Sequence, residues 1–159
     1  MIVAAFTGTQ AGMSLGQRIV FALSLRYLAV SELHVGDCIG ADADATGIAQ
    51  KLGVPTICHP PVNPAKRAFT EGHQLVLPAK PYLERNRDMV DAAGVLIATP
   101  RGPEDRRSGT WYTIRYARRT DVPAFVIPRN ASLRWITDQR PLDQVAENVI
   151  RLPGRHLPT

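Results

Sequence analysis

The 159-residue sequence is poor in cysteine, poor in lysine and free of long apolar runs. Each shortage closes off a class of protein. Two cysteines, Cys38 and Cys58, cannot build the disulfide framework of a small secreted domain, and their spacing fits no zinc-ligand pattern. No apolar stretch approaches the roughly 18 residues of a membrane-spanning helix. The opening MIVAAFTGT lacks the basic segment and long apolar stretch of a secretory leader and reads as a short strand. A cytoplasmic protein is the expectation, with no membrane partner, no metal and no cofactor. Lysine occurs only at 51, 66 and 80, so most of the 19 basic residues are arginine, the planar fork that suits phosphate. A genome rich in G and C, favouring arginine codons, explains the same bias. No basic run reaches five residues, so there is no tail of the nucleic-acid type.

What is present is ordinary for a globular chain: 45% hydrophobic residues, 21% charged, and a net charge of +5. The length suits one domain, residues 1–159, with a core over 1–127 and a C-terminal extension over 128–159. Ile2–Phe6 reads as a buried strand, with Ser14 as N-cap of a helix that runs to about Ala29. Leu15, Ile19, Leu23 and Tyr27 repeat at i+4 and mark the apolar face of that helix. Strands follow at Glu32–Val35, Thr56–Cys58, Val95–Ala98 and Ala124–Ile127. Helices follow at 41–52, Leu83–Ala93, Trp111–Arg119 and Leu142–Ile150, and Pro153–Thr159 reads as a frayed tail. Residues 60 to 81, with Pro60, Pro61, Pro64, Pro78 and Pro81, form the longest irregular stretch, a lid or a dimer contact. Alternating strands and helices predict an α/β, doubly wound parallel sheet in three αβα layers, in the order 3-2-1-4-5. Its ligand crevice lies where the strand order reverses, at the carboxyl ends of the first and fourth strands.

Three glycine-containing loops fall at that edge. Gly8-Thr9-Gln10 lets a backbone approach a phosphate, and reads equally as a tight strand-to-helix turn. Its spacing is not GxGxxG, so a dinucleotide fingerprint is missing. In Gly36-Asp37-Cys38-Ile39-Gly40-Ala41-Asp42, Asp42 serves as a helix cap or as a carboxylate for ribose hydroxyls, and Asp37 also reaches the crevice. His34 and Cys38 lack companions at ligand spacing and read as structural. Gly109 and Thr110 open a helix, where free N–H groups favour a phosphate, with Arg106 and Arg107 nearby. On the third helix, Arg85 shares a stripe with Tyr82 and Met89, and Asn86 shares one with Leu83 and Val90. Arg85 and Asn86 therefore lie on the inward side. A buried arginine needs a partner, either a ligand anion or an acid such as Asp37, Asp42 or Asp88.

Together these motifs resemble the SLOG superfamily. It includes the Lonely Guy phosphoribohydrolases, once misannotated as lysine decarboxylases, and the DNA-processing protein A family. The residues that carry the resemblance are Phe6-Thr7-Gly8-Thr9, His34-Val35-Gly36 with Gly40-Ala41-Asp42, Arg85-Asn86-Arg87-Asp88-Met89-Val90, and Gly109-Thr110. They spread over residues 1–127, and are most similar to a small stand-alone branch of the superfamily. The resemblance implies a Rossmann-like fold that binds a small-molecule nucleotide or a nucleotide-derived signal. It also implies a homo-oligomer, a dimer to which the fourth helix contributes. In Lonely Guy enzymes an arginine before the fourth strand and a glutamate just after Gly-Thr serve hydrolysis of a nucleoside 5′-monophosphate. The arginine carries over to Arg85 and the phosphate-binding pair to Gly109 and Thr110. The glutamate does not, since Thr113 stands where it is expected. Pro100-Arg101-Gly102-Pro103 also departs from the family's Pro-Gly-Gly.

The leading expectation is a nucleotide-binding protein. Gly8, Thr9, Gly109 and Thr110 hold the phosphate with Arg85, flanked by Gly36, Gly40 and Asn86, and Asp42 addresses the ribose. Trp111 or Tyr112 stacks on a base, or fills the core instead. The alternative is an N-glycosidase, a hydrolase in which Asp37 or Asp42 supplies the carboxylate for an oxocarbenium-like state. A DNA-binding module comes third, because no basic stretch is interleaved with aromatics.

Overall fold

The sheet has six short strands: β1 (Ile2–Gly8), β2 (Val30–Val35), β3 (Thr56–Cys58), β4 (Leu75–Val76), β5 (Val95–Thr99) and β6 (Ala124–Val126). In this computed structural model, which describes residues 1–151, all of them pair in parallel in the order β4-β3-β2-β1-β5-β6. That is the expected order with one strand added at an edge. The addition, β4, lies inside the proline-rich stretch. It is too short to show an alternating pattern and is held by its neighbour, with Gln74 N–H donating to Thr56 O (3.0 Å) and Leu77 N–H to Cys58 O (2.9 Å).

The helices are α1 (Leu15–Tyr27), α2 (Ala41–Lys51), α3 (Tyr82–Ala92), α4 (Gly109–Arg119), α5 (Leu133–Gln139) and α6 (Pro141–Arg151). The expected tail, Pro153–Thr159, lies outside the described residues. Successive strand residues point to opposite faces, and this splits the core in two. Phe6, Leu33, Val35, Ile97 and Phe125 pack with Val20, Phe21 and Leu25 of α1, Ala45 of α2, and Leu142 and Val149 of α6. Ala5, Leu96 and Ala98 face the other way, onto Met89 and Val90 of α3 and Ile114 and Ala117 of α4. Among the described residues, no helix is long and apolar enough to cross a membrane.

One expectation is overturned. The buried face of α1 is Gln17, Val20, Phe21, Ser24 and Leu25, while Leu15, Ile19, Leu23 and Tyr27 face solvent. Tertiary contacts choose between the two ridges. Phe21 meets Phe6 edge-on at 5.1 Å between ring centroids. Buried Gln17 donates to Pro100 O and Ile127 O, both at 3.0 Å, and so joins α1 to the chain leaving β5 and β6. The expected cap is present: Ser14 and Gln17 form a reciprocal capping box.

Candidate functional site

Where the strand order reverses, Thr9 knots three segments together. Its N–H donates to Thr99 O (3.2 Å), and its carbonyl accepts from Gly12 N–H (3.1 Å) and Ala41 N–H (3.0 Å). Its hydroxyl accepts from Ala11 N–H at 3.2 Å. Gly8 lies beside Thr99 in the β1–β5 register, and Gly40, at φ +87°, precedes α2 and packs against Gln10. The backbone groups of Thr9 are therefore spent inside the protein while its hydroxyl keeps a proton to donate, and the crevice opens towards β2, α3 and α4.

There Arg85 of α3 is 2% exposed, buried as its stripe predicted. Arg85 Nη2 donates to Cys38 Sγ (2.8 Å), Nη1 lies 3.9 Å from Asp42 Oδ2, and the Tyr82 ring covers the guanidinium at 4.7 Å. Its Nε has no hydrogen-bond partner. Gly36 makes the arrangement sterically feasible, because a Cβ there would fall 1.3 Å from Arg85 Nη1. Asp42 Oδ2 also accepts from Cys38 N–H (3.0 Å). Burial pushes the Asp42 carboxyl up to about 6, against the opposing pull of Arg85. Burial likewise raises the Cys38 thiol to about 11. Gly36, Cys38, Asp42 and Arg85 thus form one cluster. Asn86 is directed elsewhere: its Nδ2 donates to Thr113 Oγ1 (3.0 Å), and that hydroxyl donates to Gly109 O (3.0 Å). Thr113, at the position of the missing glutamate, is a buried strut between α3 and α4.

Asp37 turns away from this cluster. It sits at φ +56°. Its Oδ2 accepts from Arg67 Nε (2.8 Å), and its Oδ1 accepts from Thr70 N–H (3.0 Å) and the Thr70 hydroxyl. Burial raises the Asp37 carboxyl, but these bonds outweigh it and hold the group below the ordinary carboxylate range. Asp37, Cys58 and His73 bring three potential metal donors within 4.8 Å of one another. Both ring nitrogens of His73 already meet hydroxyls, Thr56 Oγ1 at 2.8 Å and Thr70 Oγ1 at 2.9 Å. On the opposite sheet face Glu32, His34 and His59 form a chain with links of 2.9 and 2.7 Å. Burial, reinforced by His34, lowers His59 to about 4. His59 lies 25 residues from His34, which is why ligand spacing did not reveal it, whereas Glu32 stands two residues from His34 and was overlooked.

Above the Arg85 cluster lies a cleft of about 420 Å³, lined by Gln10, Cys38, Lys66, Tyr82, Arg107 and Gly109, with Pro61 to Asn63 as a wall. Ser108 caps α4 through Trp111 N–H (3.3 Å). Gly109 N–H and Thr110 N–H, in the first helical turn, have no acceptor among the described residues. Tyr82 packs where a side chain on Gly109 would lie. Trp111 is pinned to Gly102 O at 3.1 Å and faces a separate apolar pocket with Pro100, Pro103 and Pro128. Lys66 was missed as a lining residue because only the fold brings its segment here, whereas Gln10 belongs to the first glycine loop and Tyr82 to the stripe of Arg85, both expected at this edge.

No protein-family model matches the chain, and no curated protein matches it in sequence. Solved structures do match. The molybdenum cofactor binding protein from the phototrophic bacterium Rippkaea orientalis aligns over 92% of this chain and 85% of its own, with TM-score 0.64 and 16% identity. DNA processing protein A from Helicobacter pylori aligns over 94% of this chain and 80% of its own, with TM-score 0.61 and 19% identity. The same protein from Streptococcus pneumoniae covers 100% of this chain and 59% of its own, with TM-score 0.63 and 19% identity. At these identities the likeness is one of fold, a Rossmann-like α/β arrangement with a parallel sheet.

Proposed function

We propose that this chain binds a nucleotide, or a ligand derived from one, by its phosphate. The observation that carries the reading is the cleft. Lys66 and Arg107 face it with no ion pair among the described residues, beside two free N–H groups at the start of α4. Two unpaired cations and a helix N-terminus around one concavity suit an anion. The side chain of Gln10 and the Nδ2 group of Asn63 are available for hydroxyls or a base edge. Beneath them Arg85, oriented by Gly36, Cys38 and Asp42, is the second contact, reached under Tyr82. Gly8, Thr9 and Gly40 shape the floor, and Asn86 fixes α3 to α4. On this reading Asp42 acts on the ligand through Arg85, and Asp37 holds the 66–70 loop that carries Lys66.

Binding is tested by thermal shift with inorganic phosphate and nucleoside mono-, di- and triphosphates, since a ligand of the native state alone must stabilise it. A rise in Tm with at least one nucleotide, exceeding that with phosphate, is expected. A flat response across the panel refutes the reading. One arrangement favours hydrolysis as a second reading: the Asp42 carboxyl lies beneath the cleft, 3.9 Å from Arg85, and burial raises it to about 6, a range that suits proton transfer. Release of free base from a nucleoside monophosphate supports it, and binding without release refutes it. The neighbours' names point to two different ligands, a molybdenum cofactor and single-stranded DNA. For DNA, affinity should fall steeply and linearly in log–log coordinates with salt.

A further inference from the structure

At the β3–β4 edge of the sheet, three side chains from separate segments converge. Asp37 stands in the loop after β2, Cys58 ends β3, and His73 belongs to the segment that leads into β4. A carboxylate oxygen, the thiol sulfur and a ring nitrogen lie within 4.8 Å of one another. None of the three residues lines the cleft. Cys58 is fully buried, yet it belongs to neither apolar core. Its Sγ makes no hydrogen bond among the described residues. A structural thiol packs as a small apolar group. This one instead shares its surroundings with a carboxylate and an imidazole.

We propose that Asp37, Cys58 and His73 form a site for a zinc ion, with the fourth position left to water. Donor chemistry is the first reason. A thiolate, an imidazole and a carboxylate together suit zinc, whereas magnesium and calcium take oxygen donors. The two positive charges of the ion are matched by two anions, the Asp37 carboxylate and the Cys58 thiolate. On binding, the Cys58 thiol gives its proton to solvent and no electron moves.

Support around the donors is the second reason. A metal-bound histidine donates its other ring N–H to an oxygen, and Thr56 Oγ1 stands 2.8 Å from His73 Nδ1 to accept it. Nε2 is then the ligand atom. Arg67 Nε holds Asp37 Oδ2 at 2.8 Å and fixes the carboxylate, while its charge keeps the affinity moderate. The Thr70 hydroxyl meets both Asp37 Oδ1 and His73 Nε2. It bridges the two donors as a cation would, and it turns aside when the ion enters. Tetrahedral donors at about 2.0–2.3 Å from zinc stand roughly 3.3–3.7 Å apart, so the three must close by at most about 1.5 Å. Thr70 and His73 are half-buried, which supplies both the movement and a path for entry. Bound there, the ion fastens to the end of β3 the segment that follows Lys66. No two of the donors are close in sequence, so no ligand spacing announces the site.

Cobalt tests the proposal, because Co²⁺ takes the place of zinc and reports its ligands by colour. One equivalent added to the full chain, after dialysis against a chelator, should give a thiolate-to-cobalt charge-transfer band and strong tetrahedral bands in the visible. Zinc should abolish both. Competition with a chromophoric chelator should give a zinc dissociation constant below about 10 µM. Cys58→Ser and His73→Gln should each raise it at least about 100-fold, more than loss of an outer partner does, with far-UV circular dichroism unchanged. His73 is half-buried, so its variant keeps the test open if Cys58→Ser fails to fold. Cys38→Ser, which removes the other thiol, should keep the charge-transfer band. No binding up to about 100 µM zinc overturns the proposal. So does a thiolate band that survives Cys58→Ser or vanishes in Cys38→Ser. Cobalt bound with a weak octahedral spectrum and no thiolate band overturns it in favour of an adventitious ion only.

Discussion

Asp37 and Asp42 leave the same loop after β2, both buried, and they enter networks built on opposite rules. Around Asp37 every acceptor is answered: Arg67 takes one oxygen, Thr70 takes the other twice, and His73 closes the ring through Thr70. Around Asp42 the bonds are fewer and looser. Its arginine stands 3.9 Å away, that arginine's best acceptor is a thiol, and Arg85 Nε and Thr99 Oγ1 are buried with no partner. A satisfied buried network rigidifies, whereas an unanswered donor costs its desolvation until something answers it. The contrast separates a fully satisfied clamp from a cluster with donors left unanswered.

The largest effect should come from the clamp. Asp37→Ala removes three hydrogen bonds and leaves Arg67 uncompensated. It should cost about 2–4 kcal/mol in urea denaturation, discounted from a fully buried pair because Arg67 is partly exposed. A loss under 1 kcal/mol would erase the distinction between the clusters. Arg85→Met should do the reverse. The apolar chain fills the slot beside Gly36 and relieves a buried orphan donor, and Asp42, left without its cation, takes up a proton instead of staying charged, so stability should fall by only about 1–2 kcal/mol. Nucleotide affinity should fall at least about tenfold by calorimetry. Intact affinity with lost stability would make Arg85 an internal tie.

Acid titration separates the two sheet faces by a smaller amount. Asp42 has a folded pKa near 6, above its unfolded value of 3.8. Its stabilising effect is full below about pH 4 and is lost as pH rises through 6. His59 has a folded pKa near 4, below 6.5. Its contribution is present above pH 6.5 and lost as pH falls towards 4. The slopes oppose each other. Asp42→Asn should therefore steepen the fall in Tm between pH 6.5 and 4, by a few degrees at about 2–4 °C per kcal/mol. An unchanged profile would mean Asp42 is ionised throughout. The smallest effect is expected from Thr99→Val. It replaces an unpaired hydroxyl by a methyl of like shape and should be neutral or stabilising by up to about 1 kcal/mol in the unliganded protein. A clear loss of stability would reveal a hidden partner for Thr99.

Much of this was legible from local pattern. Five strands, the doubly wound order and the inward position of Arg85 follow from apolar runs, the Ser14 cap and the i+4 step from Arg85 to Met89. What stayed hidden depends on distance along the chain. The acids of the loop after β2 look alike in sequence. Only Arg67 and Thr70, 30 and 33 residues away from Asp37, tell them apart. Helix α1 failed for a different reason. It carries two apolar ridges, and periodicity alone cannot say which one meets Phe6. Strand β4 is defined by the backbone of β3 rather than by its own side chains. Helix α5, with only seven residues, is too short to establish a period.

Tyr82 has a further consequence, one of timing. Its ring lies over Arg85 and against Gly109, so a molecule entering the cleft meets Lys66 and Arg107 first. On the proposed reading the arginine below is reached only if the ring swings aside, and association should then show two phases in a stopped-flow record. The first should scale with concentration and weaken with salt, as steered encounters do. The second should saturate, at a rate set by the protein and common to every ligand that touches Arg85.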